Sequence, residues 1–211
     1  MIGPEGHGIA KWLNEHGITG AVLRYRLPRG RSSVPLLDVQ QALRIVRARG
    51  PKEWGCDPSR LGVMGFSAGG HLASTAVTHF DQGDPKSPSP VGRVSCRPDF
   101  GILIYPVITM GAGTHGGSRR NLLGVDPPKD QVELYSNEKQ VTQTTPPCFG
   151  PAGSRSESTP IPPASLGSTP KSNRPPHHTL LGHLQKQSNL PIPAQARRAL
   201  LGPTLIYPTL L

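Results

Sequence analysis

Hydrophobic and polar positions along residues 8–108 alternate between helical spacing and short apolar runs. The first helical stripe predicts a helix that ends at Gly17, with an apolar face formed by Ile9, Trp12 and Leu13. Residues 18–25 form an apolar run typical of a buried strand. A second helix is predicted from a candidate N-cap at Ser33 to about residue 49, with an apolar stripe of Leu36, Val39, Leu43 and Val46.

A strand, a sharp turn and a helix are predicted around Ser67. The strand contains Leu61, Val63 and Met64, and the helix covers residues 71–80. Gly65 and Gly69 flank the serine in a G-x-S-x-G segment, where a tight turn leaves no room for Cβ atoms or requires a positive φ. The pentapeptide alone is weak in a chain this rich in glycine and serine. The flanking patterns favour a strand–elbow–helix that presents a nucleophilic serine over an ordinary turn between a strand and a helix.

A third apolar strand is predicted over residues 100–108. Apolar strands that alternate with helices indicate a parallel sheet covered by helices, so the predicted fold class is α/β with three layers. Residues 109–147 are less regular, with short helices predicted at 119–124 and 132–135. Arg44, Arg47 and Arg49 lie off the stripe of the second helix, and we expect them to be solvent-exposed.

The composition changes at residue 148. The chain has 211 residues, of which 25 are glycine and 25 proline, and only 35% are hydrophobic. From Cys148 onwards there is no aspartate, Glu157 is the single acid, prolines are frequent, and the one apolar pattern is a weak scatter near Leu180–Leu184. Such a composition is typical of disorder. We therefore predict a domain over residues 1–147 and a disordered, basic, Pro/Ser-rich tail over residues 148–211.

The formal net charge of +10 raises the alternative of a basic protein that binds anions or nucleic acid. Such a site needs its charge gathered on one face, whereas the arginines here are spread along the chain, without an RNA-binding aromatic motif or a zinc finger. Solvated faces and a basic tail explain the charge as well. We therefore do not favour a nucleic-acid partner, and keep a basic protein that binds anions or nucleic acid as the second alternative.

Cysteines 56, 96 and 148 are too far apart to form a metal-ligand pair and are odd in number, which predicts reduced thiols. Residues 1–6 lack the basic and apolar regions of a secretory signal. The apolar run 199–211 is short and contains Pro203 and Pro208, so it is not expected to span a membrane. The default expectation for the location is therefore cytoplasmic, with no membrane partner.

Four segments together resemble α/β-hydrolase esterases of the acetylxylan-esterase and feruloyl-esterase-like group, which is related to the hormone-sensitive-lipase type. These segments are Tyr25–Pro28, Asp57–Leu61, Gly65–Leu72 and Ile104–Val107. Residues 114–124 and 135–147 also look like that group, and the resemblance covers roughly residues 3–147. It is most specific over residues 54–73.

The resemblance implies cleavage of carboxylic esters by a Ser–His–Asp triad, without a metal or cofactor, on a small-molecule or polysaccharide substrate. Ser67 matches the nucleophile, and Ala68 matches the residue whose backbone N–H stabilises the oxyanion. Gly65 and Gly69 match the glycines of the nucleophile elbow. The triad Asp and His have no assigned match. A catalytically inactive form of such an esterase is the alternative.

The resemblance stops in mid-pattern at both ends, so the chain is expected to be truncated relative to the family. The family's oxyanion loop and the strand that leads into it would precede residue 3, and that strand lies between the strands matching 18–25 and 61–66. The sheet must close this gap, borrow a strand or remain partly unfolded.

None of the eight histidines is assigned as the triad base. His183 is a candidate base, with an exposed tail residue as the alternative, and His177 and His178 lie in no strand–loop context. His71 and His79 are expected to be packing or surface residues, and His115 is given no catalytic role.

Overall fold

A five-stranded parallel sheet in the order β1–β5–β2–β3–β4 forms the centre of the domain. The computed structural model describes residues 4–150 and 202–209. The strands are β1 (Thr19–Arg24), β2 (Cys56–Phe66), β3 (Phe100–Ile104), β4 (Cys148–Phe149) and β5 (Gly202–Thr209). The helices are α1 (Ile9–Glu15), α2 (Val34–Glu53), α3 (Ser67–Thr78), α4 (Gly116–Leu123) and α5 (Lys129–Leu134). A π-helical turn (Pro4–Gly8) and a 3-10 turn (Asn137–Lys139) complete the described elements.

The gap between β1 and β2 is filled by β5, which comes from the end of the chain. Along β1 it pairs from Thr19 opposite Thr204 to Arg24 opposite Thr209, and on its other side Val63 of β2 lies opposite Ile206. The sheet therefore borrows a strand, one of the three expected possibilities. This filling satisfies backbone N–H and C=O groups that would otherwise be unpaired in the core.

The prediction of a tail over residues 148–211 is corrected at two places, because β4 and β5 both lie within it. Pro203 and Pro208, the two prolines of the last segment, lie on either side of the stretch Thr204–Ile206 that pairs with both neighbours. Proline is tolerated where a strand has no ladder partner for its missing N–H group. Residues 151–201 and 210–211 of the predicted tail lie outside the described residues.

Two hydrophobic layers cover the two faces of the sheet. On one face, the α2 stripe of Val39, Leu43 and Val46 packs with α3 against Leu61, Val63 and Ile206. On the other, Leu13 of α1 packs with Met64 and Leu205. Neighbouring residues Leu205 and Ile206 thus serve opposite layers, as the alternation of side chains along a strand requires. The predicted three-layer α/β architecture is confirmed.

Several predicted details differ from the structure. Trp12 is 52% exposed and lies against the ring of His16, 4.4 Å away between centroids, so only Leu13 of its predicted face is buried. The third strand ends at Ile104 instead of residue 108, because Tyr105 adopts a φ of +36° and Pro106 follows it. Gly17, with a φ of +73°, ends the first helix as predicted.

The arginines of α2 were expected in solvent, but two of the three are held in contacts. Arg44 and Arg47 are only 15% and 14% exposed, and pair with the carboxylates of Asp81 and Asp99. Arg49 is 55% exposed and pairs with Glu53 one helical turn away. Position off an apolar stripe does not distinguish a solvated arginine from one that reaches a distant loop.

Candidate active site

Ser67 stands at the junction of β2 and α3. Phe66, the last strand residue, has extended backbone angles (φ −110°, ψ 137°), and Ser67 then adopts a φ of +49° before the helix continues. A positive φ is unusual for any residue with a Cβ and marks local strain. The strain turns the chain sharply and leaves Ser67 exposed at the carboxyl edge of the sheet. The sequence placed a possible positive φ on the flanking glycines, whereas it is Ser67 that has it.

The turn is possible because two glycines allow close backbone approach. A Cβ added to Gly65 would lie 2.0 Å from the carbonyl oxygen of Gly69, which is too close for any side chain. A Cβ on Gly70 would lie 2.9 Å from Cβ of Pro106, in the segment after β3. The requirement for glycine at 65 was predicted. The requirement for glycine at position 70 was not predicted, although the Gly69–Gly70 doublet in the sequence indicated it.

The segment after β3 supports the elbow from the side. The backbone N–H of Val107 donates to the carbonyl oxygen of Ser67 at 3.2 Å. The rings of Phe66 and Tyr105 lie 5.9 Å apart between centroids. These contacts connect the ends of β2 and β3, whose last residues, Phe66 and Ile104, lie opposite each other.

Ala68 is the second residue of α3, a helix of 12 residues. The first N–H groups of a helix have no acceptor within the helix, and they lie at the positive end of its dipole. The Ala68 N–H is therefore in the position expected for a donor to an oxyanion formed at Ser67.

No histidine within the described residues is hydrogen-bonded to Ser67. His71 is 6% exposed and its Nδ1 lies 3.1 Å from the carbonyl oxygen of Val107, while burial lowers its pKa to about 4. His79 contacts the hydroxyl of Thr78 at 2.9 Å. His71 and His79 are thus packing residues, as expected. His177, His178 and His183 lie outside the described residues.

His115 caps a helix. Its Nδ1 accepts a hydrogen bond from the N–H of Ser118 at 3.2 Å, at the start of α4. Its ring is exposed. In residues 4–150 and 202–209, the Ser67 hydroxyl makes no hydrogen bond to a histidine.

A buried polar cluster behind the elbow was missed by the sequence reasoning. The side-chain amide of Asn137, 2% exposed, donates to the hydroxyls of Ser74 and Thr75 at 2.6 and 3.0 Å. Both hydroxyls in turn donate to the carbonyl oxygen of His71 at 2.8 Å. The cluster fastens α3 to the turn at Asn137–Lys139. Its one sequence signal was the Tyr-Ser-Asn-Glu run at 135–138, which belongs to the family resemblance.

A cavity of about 450 Å³ lies beside the first turns of α3, and Ala68 and His71 line it. No group of three or more histidine, cysteine, aspartate or glutamate side chains in the described part of the chain is placed to hold a metal ion. Within the same residues, no helix has the length and apolar character needed to cross a membrane. Cys56, Cys96 and Cys148 are free thiols, as predicted.

Comparison with known proteins supports the resemblance. Residues 11–165 match a protein family described as having the alpha/beta hydrolase fold. The chain belongs to this alpha/beta hydrolase family.

Three relatives illustrate this membership of the hydrolase family. An acetylxylan esterase of Xylanibacter ruminicola is 42% identical over 147 residues, covering 68% of this chain and 28% of that protein. An endo-1,4-beta-xylanase B of Butyrivibrio fibrisolvens is 39% identical over 149 residues, and the aligned region covers 69% of this chain and 23% of the xylanase. The crystal structure of an acetyl ester-xyloside bifunctional hydrolase from Caldicellulosiruptor lactoaceticus superposes with a TM-score of 0.67 at 47% identity, covering 69% of this chain and 53% of that one.

The chain spans about a quarter of the length of the curated relatives it matches, and about half of the solved structure. At this identity and TM-score, the part of the chain that aligns with the solved structure has the same fold as that structure.

Proposed function

We propose that this chain is a serine hydrolase of carboxylic esters, with Ser67 as the nucleophile. The observation that carries the proposal is the elbow, in which an exposed serine with a φ of +49° joins the end of a central parallel strand to a helix N-terminus. This arrangement is the one by which α/β-hydrolases present a nucleophile. The resemblance to an acetylxylan esterase supports the same reaction class.

In the proposed reaction, the Ser67 hydroxyl oxygen attacks the carbonyl carbon of the ester. The carbonyl oxygen gains negative charge, and the Ala68 N–H at the start of α3 stabilises it. Collapse of the tetrahedral intermediate breaks the bond to the alcohol oxygen and leaves an acyl group on Ser67, which water then removes. The serine proton must pass to a base, which returns it to the departing alcohol oxygen. The described residues supply no histidine within hydrogen-bond distance of Ser67 for that step.

The substrate class that we propose is an acetyl ester of a small molecule or a polysaccharide. The names of the relatives, an acetylxylan esterase and an acetyl ester-xyloside hydrolase, support the acetyl group over the larger feruloyl group.

The test is labelling of the purified full chain with a fluorophosphonate probe, which phosphonylates a reactive serine. We expect labelling of the wild type that is lost in Ser67→Ala and retained in Ser59→Ala, since Ser59 lies in the amino-terminal half of β2 and bonds to Asp57. Hydrolysis of 4-nitrophenyl acetate by the same three proteins then measures turnover.

Two results distinguish the alternatives. Wild-type protein that melts cooperatively yet takes up no probe would favour the inactive form of the esterase. Labelling that is equal in wild type and Ser67→Ala would reject Ser67 as the nucleophile.

A further inference from the structure

The cavity beside α3 is large enough for a small ligand. Its volume of about 450 Å³ lies within the range of small-molecule sites. The segment after β1, the start of α2, the amino-terminal half of α3, Met110 and α4 form most of its wall. Ala68 belongs both to this wall and to the elbow, so the cavity adjoins the elbow.

The described residues of the wall carry one charge at pH 7, which is on Arg29. They include no aspartate or glutamate. Tyrosine hydroxyls keep their protons at pH 7, and burial raises the pKa of Tyr25 to about 12. Burial also lowers the pKa of His71 to about 4, so its ring is uncharged. The cavity therefore joins an uncharged, largely apolar wall to a single cation.

The guanidinium of Arg29 has no partner among the described residues. Arg29 is exposed, and its side chain forms neither a hydrogen bond nor an ion pair there. The nearby Arg26, by contrast, is held by the carboxylate of Asp38 at 2.6 Å. Arg29 can therefore pair with a ligand without breaking a contact that stabilises the fold.

The backbone at Arg29 is also strained. Arg29 and Gly30 have φ values of +46° and +80°, in a turn closed by a hydrogen bond of 2.8 Å from the N–H of Arg31 to the carbonyl oxygen three residues earlier. Turns with a positive φ at both central residues favour Asn, Asp or Gly, so the turn itself gives no reason for an arginine. The other non-glycine residues with a positive φ in the described part of the chain are Ser67 and Tyr105, at the elbow and beside it. Strain of this kind is concentrated at functional sites.

We propose that the cavity binds a monocarboxylate with an apolar body, whose carboxylate pairs with Arg29. Leu36, Leu72 and Met110 provide apolar surface for the body of the ligand. One carboxylate matches one guanidinium in charge, whereas a phosphate monoester carries nearly two negative charges and would leave one of them unpaired beside an apolar wall. An ammonium would meet the like charge of Arg29. The proposal rests on the cavity and Arg29 and not on the reactivity of Ser67.

The experiment compares three probes of nearly the same shape that differ in charge, by calorimetric or NMR titration of the full chain at pH 7 and low salt. The probes are 4-methylbenzoate, the neutral 4-methylbenzamide and the cationic 4-methylbenzamidine. We expect the benzoate to bind about threefold to tenfold more tightly than the amide, because a hydrogen-bonded ion pair at an exposed arginine separates them. The benzamidine should bind most weakly. Ser67→Ala should bind 4-methylbenzoate like the wild type, which separates this proposal from the proposed function.

The control removes the same charge two residues away, because a formal net charge of +10 attracts anions in general. Arg29→Gln should reduce the ratio of the dissociation constants of amide and benzoate to about one. Arg31→Gln should leave the ratio unchanged, since Arg31 is exposed but does not line the cavity. Equal effects of the two substitutions, a ratio of about one in the wild type, or no saturable binding of 4-methylbenzoate would each overturn the proposal.

A second measurement locates the ligand and needs no variant. In wild type with ¹³C-labelled methyl groups, the methyl group of bound 4-methylbenzoate should show nuclear Overhauser contacts to Leu72 or Met110, which line the cavity. Saturable binding without such contacts would place the ligand outside the cavity and would also overturn the proposal.

Discussion

The elbow at Ser67 and the centre of the sheet are built in opposite ways. The elbow takes most of its geometry from neighbours in sequence, since the close approach of Gly65 to Gly69 and the positive φ of Ser67 fall within five residues. The sheet centre joins β1, β2 and β5, where Thr19 pairs with Thr204 across most of the chain. One region is local in sequence, and the other is assembled from distant segments.

The comparison shows that the two regions depend on each other. The strand β2 that carries the elbow is paired on one side with β3 and on the other with β5. Without β5, the backbone groups of β2 on that side would lose their partners, although every residue of the elbow would still be present. A local turn thus keeps its shape only while the remote strand completes the sheet beneath it.

The largest effect is expected when the elbow itself is broken. Gly65→Ala would place a Cβ 2.0 Å from the backbone of Gly69, which neither segment can avoid without moving. We expect the free energy of unfolding to fall by about 4 kcal/mol or more, measured by urea denaturation. Gly116→Ala is the matched control, because a Cβ there meets no atom within 4 Å. Similar stabilities for the two variants would contradict the geometry of the elbow.

The next test addresses the remote strand. Ile206→Ala removes a side chain that is 1% exposed and packs with α2 and α3, so the expected loss is about 2–5 kcal/mol. Leu37→Ala, on the exposed side of α2 with 53% of the residue accessible, should cost about 0.5 kcal/mol. If the two substitutions were equally mild in urea denaturation, β5 would not be part of the core.

His71 is close to the elbow in sequence, but its burial depends on residues far along the chain. Its side chain contacts Val107 and Asn137. Its pKa is about 4 in the folded protein against an ordinary 6.5, because burial disfavours the charged ring. The unfolded chain therefore binds a proton that the folded protein does not, between these two values. Its contribution to stability is complete above pH 6.5 and is lost as the pH falls towards 4.

The expected loss from this residue is on the order of 3 kcal/mol. The measurement is the difference in unfolding free energy between wild type and His71→Gln at pH 7 and at pH 4.5, which cancels the titration of the carboxylates. A difference that does not change with pH would contradict the burial of a neutral ring.

The smallest expected effect is the difference in stability between alanine substitutions at two arginines of α2. Arg47 donates to the carbonyl oxygens of Ser95 and Pro58 at 2.7 and 3.1 Å and to the carboxylate of Asp99 at 3.2 Å, so Arg47→Ala should cost about 1–3 kcal/mol. Arg49→Ala removes an exposed pair within one helix and should cost about 0.5 kcal/mol or less. Thermal melting of both variants tests this order. The reverse order would show that the contacts of Arg47 with Pro58, Ser95 and Asp99 do not stabilise the domain.

Much of the fold could be predicted because its signals are local. The stripe of Val39, Leu43 and Val46 identified α2, and all three are buried as a helix on a sheet requires. Ser67 was identified as the tip of the turn from its two flanking glycines and the apolar strand before it. Each of these patterns involves residues within one element or one turn, where spacing alone decides which side chains share a face.

Contacts between distant residues could not be predicted in the same way. Arg47 and Arg49 lie on the same helix and were predicted alike, yet only Arg47 faces Asp99. His71 and Asn137 share no pattern in the sequence, and their contact depends on how the segment after β3 returns to α3.

The sequence by itself determined that residues 18–104 alternate between helix and strand and that Ser67 lies at a tight turn, because periodicity and glycine placement act over a few residues. Only the tertiary structure decided which strand lies between β1 and β2, and which polar groups are enclosed beside α3. Strand order and burial depend on contacts between residues far apart in the chain. The eight residues 202–209 are too few, and contain two prolines, to stand out as a strand by themselves, and they become a central strand because they pair with backbone groups of β1 and β2 that would otherwise have no partner.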